Sequence, residues 1–299
     1  MNYLYKEPDF SMGMASISPI CGCSGGCAYC YISLLGMSTP SKNNFGLYKT
    51  IEVLHQHTEY QQGKHGTAIV IGGWGELFPN NFALRKHSIE WIVELAKEGN
   101  PIVLSTKGIL TADELEQICS ALCTPEQILI FETITTLDEW KSLEPGTLSP
   151  TRRFECLQMC SEAGIRCGLL VNPFLRGITE ISFDQILKCA AKLKTLEGIV
   201  VSPLFLNELL LKKMHSNCLR ELADSEWKQC DLTQSGDGIS ICAHSLQDEW
   251  PILQKLASKT NIPLLRHYLC LISRCFNRKC FLYKNTDYCV NCGNCGFTH

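Results

Sequence analysis

The sequence has no apolar run long enough to span a membrane, no low-complexity tract and no excess of positive charge. Residues 1–10 include Lys6, Glu7 and Asp9 and lack an apolar core, so we expect no secretory signal there. The 299 residues carry 27 Lys and Arg against 30 Asp and Glu, a formal net charge of −3. These features argue against a membrane protein and a strongly basic nucleic-acid binder, although a local basic groove remains compatible with them. We expect a cytoplasmic protein.

Cysteine, by contrast, is abundant, with 19 residues in the chain. Without an export signal, a disulfide framework is not expected, and the cysteines point to metal ligation and free thiols in a reducing compartment. Hydrophobic residues make up 45% and charged residues 19%, which is a globular balance. The length suits one large domain, or a domain with an extension.

Three cysteines lie close together in residues 23–31, which read Cys-Ser-Gly-Gly-Cys-Ala-Tyr-Cys-Tyr. Cys23, Cys27 and Cys30 are separated by three and then two residues, and Tyr29 precedes the last. Cysteine thiolates hold iron–sulfur clusters, and a [4Fe–4S] cube normally takes four of them. Three ligands leave one iron open to a substrate or cofactor. The alternatives are a zinc knuckle with Cys21 as a fourth ligand, a redox dithiol or a disulfide.

Beyond this loop, apolar runs and helical patterns alternate along the chain. The predicted strands cover residues 15–20, 67–71, 101–105, 127–131, 165–171 and 198–202. The predicted helices cover residues 50–62, 82–98, 110–122, 149–163 and 183–196. This alternation predicts an α/β protein of parallel β/α units, in which chemistry belongs on loops after the carboxyl ends of strands. A strand at 238–242, followed by a helix at 247–259, offers a seventh unit.

The last 30 residues contain a second group of cysteines: Cys270, Cys275, Cys280, Cys289, Cys292 and Cys295. The stretch from Cys289 to Cys295 places three thiols at x2 spacings among glycines, a ferredoxin-like pattern that predicts a second [4Fe–4S] cluster. Cys275 or Cys280 would supply a fourth ligand. Zinc is the main alternative, because two Cys-x2-Cys steps also suit a zinc ribbon, and inert thiols are the third.

The first cysteine loop, together with Tyr29, resembles the signature of the radical S-adenosylmethionine (SAM) superfamily. Stretches between residues 14 and 205 resemble its spore-photoproduct-lyase-like branch. The resemblance implies a partial (β/α)6 TIM-type barrel and a [4Fe–4S] cluster whose open iron binds the amino and carboxylate groups of SAM. It also implies that reduction cleaves SAM to methionine and a 5′-deoxyadenosyl radical, which abstracts a hydrogen atom.

On this basis we divide the chain into three parts. Residues 1–205 are the partial barrel, residues 206–267 a helical and βα extension that completes it, and residues 268–299 the cysteine-rich tail with its auxiliary cluster. Cys242, at the end of the seventh predicted strand, is either a hydrogen-atom donor to a product radical, as a cysteine is in photoproduct lyase, or a buried thiol.

The ends of the predicted strands supply candidate SAM ligands. Gly72, Gly73 and Glu76 resemble the family's Gly-Gly-Glu segment, which contacts the SAM amino group, although two residues separate the glycines from the glutamate here. Ser105 and Lys107 resemble positions that contact the SAM carboxylate, and a lysine at a barrel mouth suits that role. The alternatives are a simple turn and a solvated lysine.

Later positions complete the predicted cofactor site. Thr133 and Thr135 offer hydroxyls to the ribose or carboxylate, and Arg153 is a second carboxylate ligand. Gly177 and Glu180 retain a Gly-x-x-Glu spacing that resembles the strand supporting adenine, with Tyr29 as the other adenine contact. Ordinary strand hydroxyls and a solvated helix arginine are the alternatives.

The leading hypothesis is therefore a radical SAM enzyme that abstracts hydrogen from a peptide or small metabolite, with an electron donor such as flavodoxin or ferredoxin. Photoproduct-lyase-like DNA repair is the second hypothesis, disfavoured by the net charge of −3. A non-catalytic iron–sulfur or zinc interaction module is the third.

Overall fold

The computed structural model describes residues 7–229, 232–234, 240–243 and 246–278. The strands of this part are β1 (Asp9–Ser11), β2 (Met14–Ile17), β3 (Ile20–Cys21), β4 (Ser41–Lys42), β5 (Ala68–Ile71), β6 (Ile102–Thr106), β7 (Ile128–Thr133), β8 (Arg166–Val171), β9 (Leu196–Val201), β10 (Phe205–Leu206), β11 (Leu232–Gln234), β12 (Ser240–Ala243) and β13 (Leu264–Leu265).

The helices of the same part are α1 (Leu47–Gln56), α2 (Phe82–Ala96), α3 (Ala112–Ala121), α4 (Trp140–Leu143), α5 (Pro150–Glu162), α6 (Thr179–Ala190), α7 (Glu208–His215), α8 (Arg220–Gln229), α9 (Trp250–Ala257) and α10 (Tyr268–Cys275). Short 3-10 turns cover Ile32–Leu35 and Pro125–Gln127. None of the described helices combines the length and the apolar character needed to cross a bilayer.

The main sheet has the order β1-β2-β5-β6-β7-β8-β9-β13. All neighbours from β2 onward pair in parallel, and β1 pairs antiparallel with β2 at one edge. The sheet does not close, because β1 and β13 are its two edges. The α/β fold with a partial TIM-type barrel is confirmed.

The strand expected at residues 238–242 is not part of this barrel. Ser240–Ala243 forms β12, which pairs antiparallel with β10 and β11 in a separate small sheet. The strand that extends the barrel beyond β9 is β13, whose two residues pair with Ile199 and Val200. A two-residue strand is too short to show any periodicity, and an apolar run does not reveal its pairing partner.

The helix starts follow from local capping chemistry. The Thr111 hydroxyl accepts from the Glu114 amide, and the Glu114 side chain accepts from the Thr111 amide, which forms the predicted capping box of α3. Ser149 caps α5 with Pro150 at its first position, as expected. The apolar faces of these helices bury one side of the sheet in the larger core cluster.

The inner face of the barrel is filled by α10. Leu269, Leu271 and Ile272 pack against inward-facing strand residues. Two inner glycines make room for this helix: a Cβ on Gly168 would lie 2.5 Å from the Phe131 ring and 3.0 Å from the Leu271 side chain, and Gly198 also faces Leu271.

The end of α10 and the residues just after it lie at the amino-terminal ends of the barrel strands. Arg166, at the start of β8, donates to the carbonyl of Cys275 at the end of α10. Arg278 donates to the carbonyls of Gly66 at 2.5 Å and Gly13 at 3.3 Å, and these glycines precede β5 and β2. Since the strands are parallel, their carboxyl ends form the opposite, mouth end.

Candidate active site

The cysteine loop follows β2 and β3 and lies at the carboxyl ends of the barrel strands. The Gly22 amide donates to the Trp74 carbonyl at 2.9 Å, and the Glu76 amide donates to the Gly22 carbonyl at 3.3 Å. The Cys23 amide donates to the Met37 carbonyl at 3.0 Å. The loop is therefore joined by backbone hydrogen bonds to the segment after β5, as its position in the sequence predicted.

Within the loop, Gly25 lies between two of the cysteine thiols. A Cβ at Gly25 would be 3.2 Å from the Cys23 Sγ and 3.7 Å from the Cys27 Sγ. Backbone amides point at sulfur, because the Gly25 amide donates to the Cys23 Sγ at 3.2 Å and the Ile32 amide donates to the Cys30 Sγ at 3.4 Å. The glycine leaves room between thiols that a side chain would fill.

Two of the thiols, those of Cys23 and Cys27, resist ionisation on their own. Burial raises the pKa of Cys27 to about 12, and burial also raises the pKa of Cys23. Metal coordination deprotonates a thiol outright, so iron would supply the positive charge that buried thiolates need. The donor set of three soft thiols on one loop fits an iron–sulfur cluster.

Across the described residues, no three His, Cys, Asp or Glu side chains converge as ligands of a single metal ion. In a [4Fe–4S] cube, each thiolate binds a different iron, so the thiols of a cluster loop need not meet at one point.

Behind the loop lies a buried carboxylate, Glu144, whose side chain is 1% exposed. It accepts from the Lys107 Nζ at 3.0 Å, from the Arg153 Nη2 at 2.5 Å and from the Tyr29 hydroxyl. Burial alone would raise the pKa of Glu144, but Lys107, Arg153 and the hydrogen bonds lower it to about 2. Glu144 is therefore ionised and paired with two cations.

This network secures the loop after β7 against the cysteine loop. The Ala28 amide donates to the Leu143 carbonyl at 2.8 Å, and the Gly146 amide donates to the Gly25 carbonyl at 2.9 Å. A Cβ at Gly146 would come within 2.4 Å of the Ser24 carbonyl, so only glycine permits this approach. The charge network and the cysteine loop thus form one unit.

Arg153 belongs to the framework of this unit. Its side chain is fully buried and donates to the Leu148 carbonyl at 2.8 Å, the Thr133 carbonyl at 2.7 Å and the Thr147 hydroxyl at 2.6 Å, besides Glu144. The alternative of a solvated helix arginine is wrong. A SAM-binding role for Arg153 stays a prediction, because its guanidinium is engaged inside the protein.

Tyr29 is also engaged. Its hydroxyl lies 3.1 Å from the Thr135 Oγ1 and donates to Glu144, and the Lys107 Nζ lies 5.6 Å from its ring centroid. Burial raises the pKa of Tyr29 well above its usual range. The structure thus brings three predicted residues, Tyr29, Lys107 and Arg153, onto one carboxylate that the sequence did not single out, and places Thr135 against Tyr29.

Glu76 faces the neighbouring loop after β6. Its carboxylate accepts from the Thr106 hydroxyl, from the Phe78 amide at 2.9 Å and from the Lys107 amide at 2.9 Å. A Cβ at Gly108 would lie 2.8 Å from the Glu76 Oε1. Glu76 therefore joins the loops after β5 and β6, and its contact with the SAM amino group stays a prediction.

The two glycines before Glu76 differ from each other. Gly72 has a φ of +104°, and a Cβ there would lie 2.4 Å from the Ser105 carbonyl, so the turn requires glycine. Gly73 is exposed, which leaves its backbone accessible for the predicted SAM contact.

Ser105 and Thr133 lie on the inner face, because each comes two residues after an inward-facing residue of its strand, Val103 or Phe131. Their hydroxyls are thus on the side of the sheet where the predicted cofactor would bind.

Gly177 and Glu180 contact each other at the start of α6, away from the Glu144 network. The Gly177 amide donates to the Glu180 Oε2 at 2.9 Å, and both residues are exposed. This is a local helix-start interaction, and an adenine contact stays a prediction.

Most of the cysteines predicted to bind a second cluster lie outside the described residues. Cys275 ends α10 in the inner core, and burial raises its pKa to about 12. Cys280, Cys289, Cys292 and Cys295 lie outside the described residues. Cys242 lies on β12 of the small antiparallel sheet and not on a barrel strand; its side chain is outside what the structure describes, so its role as a hydrogen donor stays a prediction.

Sequence reasoning missed Glu144, Lys213 and Asn217. Glu144 lies in a Leu-Glu-Pro-Gly turn, a setting in which a glutamate is normally exposed. Lys213, on α7, and Asn217, between α7 and α8, contact the cysteine loop from far along the chain. No local pattern marks any of the three, because their partners are remote in the sequence.

A parallel α/β barrel with three cysteines on a loop at its mouth has the architecture of a cofactor-dependent enzyme. Residues 17–190 match the family described as the Radical SAM superfamily, which is more than half of the chain. The chain therefore belongs to the radical SAM superfamily and is a radical SAM enzyme. The family implies a [4Fe–4S] cluster that works with SAM.

Solved structures share the fold. Spore photoproduct lyase complexed with a dinucleoside spore photoproduct superposes with a TM-score of 0.66 and 15% identity, covering 87% of this chain and 76% of that one. A mutant of the lyase with bound AdoMet and the dinucleoside photoproduct has a TM-score of 0.62 and 15% identity, covering 82% of this chain and 72% of that one. Streptococcus suis SuiB bound to S-adenosylmethionine has a TM-score of 0.50 and 13% identity, covering 86% of this chain and 51% of that one. No curated protein sequence matches the chain. At these identities the similarity shows the fold alone.

Proposed function

We propose that Cys23, Cys27 and Cys30 hold a [4Fe–4S] cluster with which the protein cleaves SAM reductively and abstracts hydrogen from an organic substrate. The observation that carries the proposal is the placement of three thiols on one glycine-containing loop at the barrel mouth. When bound, the cluster and SAM supply the electron and the 5′-deoxyadenosyl radical. The protein itself binds and orients SAM and the substrate, and it excludes water from the site.

Lys107 is the residue that we propose to bind the SAM carboxylate. Its ammonium has three donors, of which one goes to Glu144 at 3.0 Å. The side chain is 17% exposed, so it retains access to the mouth while Glu144 fixes its position. Ser105 and Thr133 add hydroxyls on the same inner face.

Water exclusion follows from the packing of the loop. Cys27, Ala28 and Tyr29 are buried in an apolar cluster with Leu143 and Leu175. A dry surrounding strengthens electrostatic interactions and protects reactive species from side reactions.

For the substrate we propose a peptide or a small metabolite. The net charge of −3 favours neither DNA nor another polyanion as partner. The likeness to spore photoproduct lyase supports the fold and does not extend to its lesion substrate. DNA binding that is strong and salt-sensitive would instead favour repair of a nucleic-acid lesion.

A second cluster in the tail is part of the proposal. The ligand spacing of Cys289, Cys292 and Cys295 supports it. We propose Cys275 or Cys280 as the fourth ligand; the Cys275 thiol lies in the inner core at the end of α10. Zinc is the alternative metal.

Anaerobic reconstitution with iron and sulfide, followed by dithionite and SAM, tests the main proposal. We expect 5′-deoxyadenosine from the wild type and none above background from Cys27→Ala, because the variant lacks one of three cluster ligands. If the wild type forms no more 5′-deoxyadenosine than this control, the proposal is wrong.

A further inference from the structure

A lysine from a helix beyond the barrel contacts the cysteine loop directly. The Lys213 Nζ, on α7, donates to the Cys27 carbonyl at 2.7 Å, the Cys30 carbonyl at 2.8 Å and the Ser33 hydroxyl at 3.0 Å. An ammonium has three N–H donors, so all three are used on this loop. Two of the acceptors belong to predicted cluster ligands.

The rest of the α7–α8 region supports this contact. The Asn217 side chain donates to the Ala28 carbonyl at 3.1 Å, while its own oxygen accepts from the Leu219 amide at 2.8 Å. Apolar residues of this region share one buried cluster with Cys27, Ala28 and Tyr29 of the loop: Leu210, Met214, Leu219 and Ala223. The position of the ammonium is therefore set by a packed interface.

The charge of Lys213 is not neutralised by these contacts. Its acceptors are two carbonyls and a hydroxyl, and none of the ion pairs found among the described residues includes Lys213. A neutral side chain would suffice to hold a loop. A positive charge beside the carbonyls of two ligand cysteines also acts on the metal group that they bind.

We infer that Lys213 is a positioning residue for the cluster of the proposed function and that its charge sets the reduction potential of that cluster. Reduction adds one electron, and a nearby cation stabilises the more negative, reduced state. Lys213 lies outside residues 17–190, the part that matches the superfamily. This chain's extension would thus tune the redox centre of its barrel.

Three substitutions separate charge from hydrogen bonding. Lys213→Met removes both, Lys213→Gln retains a donor without charge, and Lys213→Arg retains both. Lys212→Met is the matched control, because it removes the same charge from the neighbouring, exposed position of α7. The readouts are iron and sulfide per chain and the midpoint potential of the reconstituted cluster, followed by electron paramagnetic resonance.

We expect Lys213→Met and Lys213→Gln to disfavour reduction about tenfold, which is about 59 mV for a one-electron couple. Lys213→Arg and Lys212→Met should remain close to the wild type. A wild-type potential in both Lys213→Met and Lys213→Gln would overturn the inference.

Loss of the cluster is also informative. If folded Lys213→Gln and Lys213→Met bind less iron than Lys212→Met, while Lys213→Arg retains it, the cation is needed to position the ligands and the inference holds. If Lys213→Arg loses iron equally, the charge is not the cause and the inference fails. Absence of a cluster in the wild type would refute the proposed function instead, which keeps the two failures distinguishable.

Discussion

Replacing Glu144 by Gln tests whether the buried charge network stabilises the site. In the wild type, the Glu144 carboxylate pairs with Lys107 and Arg153 and accepts from Tyr29, with only 1% of its side chain exposed. The variant leaves two cations close together without their common anion. Arg153, which is fully buried, would be most affected.

The contribution of the ionised Glu144 to the free energy of unfolding follows from its pKa and, independently, from typical buried ion pairs. The pKa of Glu144 falls from the usual 4.5 to about 2, and at 1.36 kcal/mol for each pKa unit this corresponds to about 3 kcal/mol of folding free energy. Removing one partner of a buried ion pair typically costs about 3–5 kcal/mol. We therefore expect Glu144→Gln to lower the free energy of unfolding by roughly 3–5 kcal/mol near neutral pH.

The pH dependence has a defined sign. A carboxyl whose pKa is depressed in the folded state stabilises the protein above its unfolded pKa, and this stabilisation is lost as the pH falls through the folded pKa. The difference between wild type and Glu144→Gln should therefore be constant above about pH 5 and shrink between about pH 4.5 and pH 2.

Equilibrium urea unfolding of the metal-free proteins measures this difference. Glu155→Gln is the matched control, because Glu155 pairs with Arg152 at 3.4 Å on the exposed side of α5 and should contribute less than about 1 kcal/mol. The reasoning is refuted if Glu144→Gln costs no more than Glu155→Gln, or if its effect stays unchanged at about pH 3.

Two further predictions concern the barrel core and the tail. Gly168→Ala should lower the free energy of unfolding by about 1–3 kcal/mol in the same assay, because the new Cβ would lie 2.5 Å from the Phe131 ring. Gly73→Ala is the control and should cost less, because its new Cβ would have its nearest contact at 3.5 Å. Equal effects of the two substitutions would contradict the packing argument. The triple variant Cys289→Ala, Cys292→Ala, Cys295→Ala should contain less iron and acid-labile sulfide per chain than the wild type, and unchanged iron would rule out a second iron–sulfur cluster on these ligands.

The local chemistry of the sequence predicted much of the fold. Alternating apolar strands and capped helices, such as α3 behind Thr111, predicted parallel β/α units before any contact was known. The spacing of Cys23, Cys27 and Cys30 indicated the superfamily, which is confirmed. These features lie within short stretches of chain, so periodicity and spacing suffice to recognise them.

The pairing of short strands could not be predicted in the same way. Residues 238–242 have a strand-like composition, yet the strand adjoining β9 is the two-residue β13. Strand partners depend on which edges meet in space, and neither composition nor alternation records that.

The sequence by itself determined the cysteine loop, the β/α alternation and the superfamily, because each is written in residues that are neighbours along the chain. Only the tertiary structure showed that Glu144 pairs with Lys107 and Arg153, and that Lys213 reaches Cys27 from 186 residues away. Burial makes Glu144 a paired anion, and the packing of α7 places Lys213 against the cysteine loop, where we propose that its charge acts on the cluster. Both effects depend on the dielectric surroundings of the folded site, which no local pattern of residues encodes.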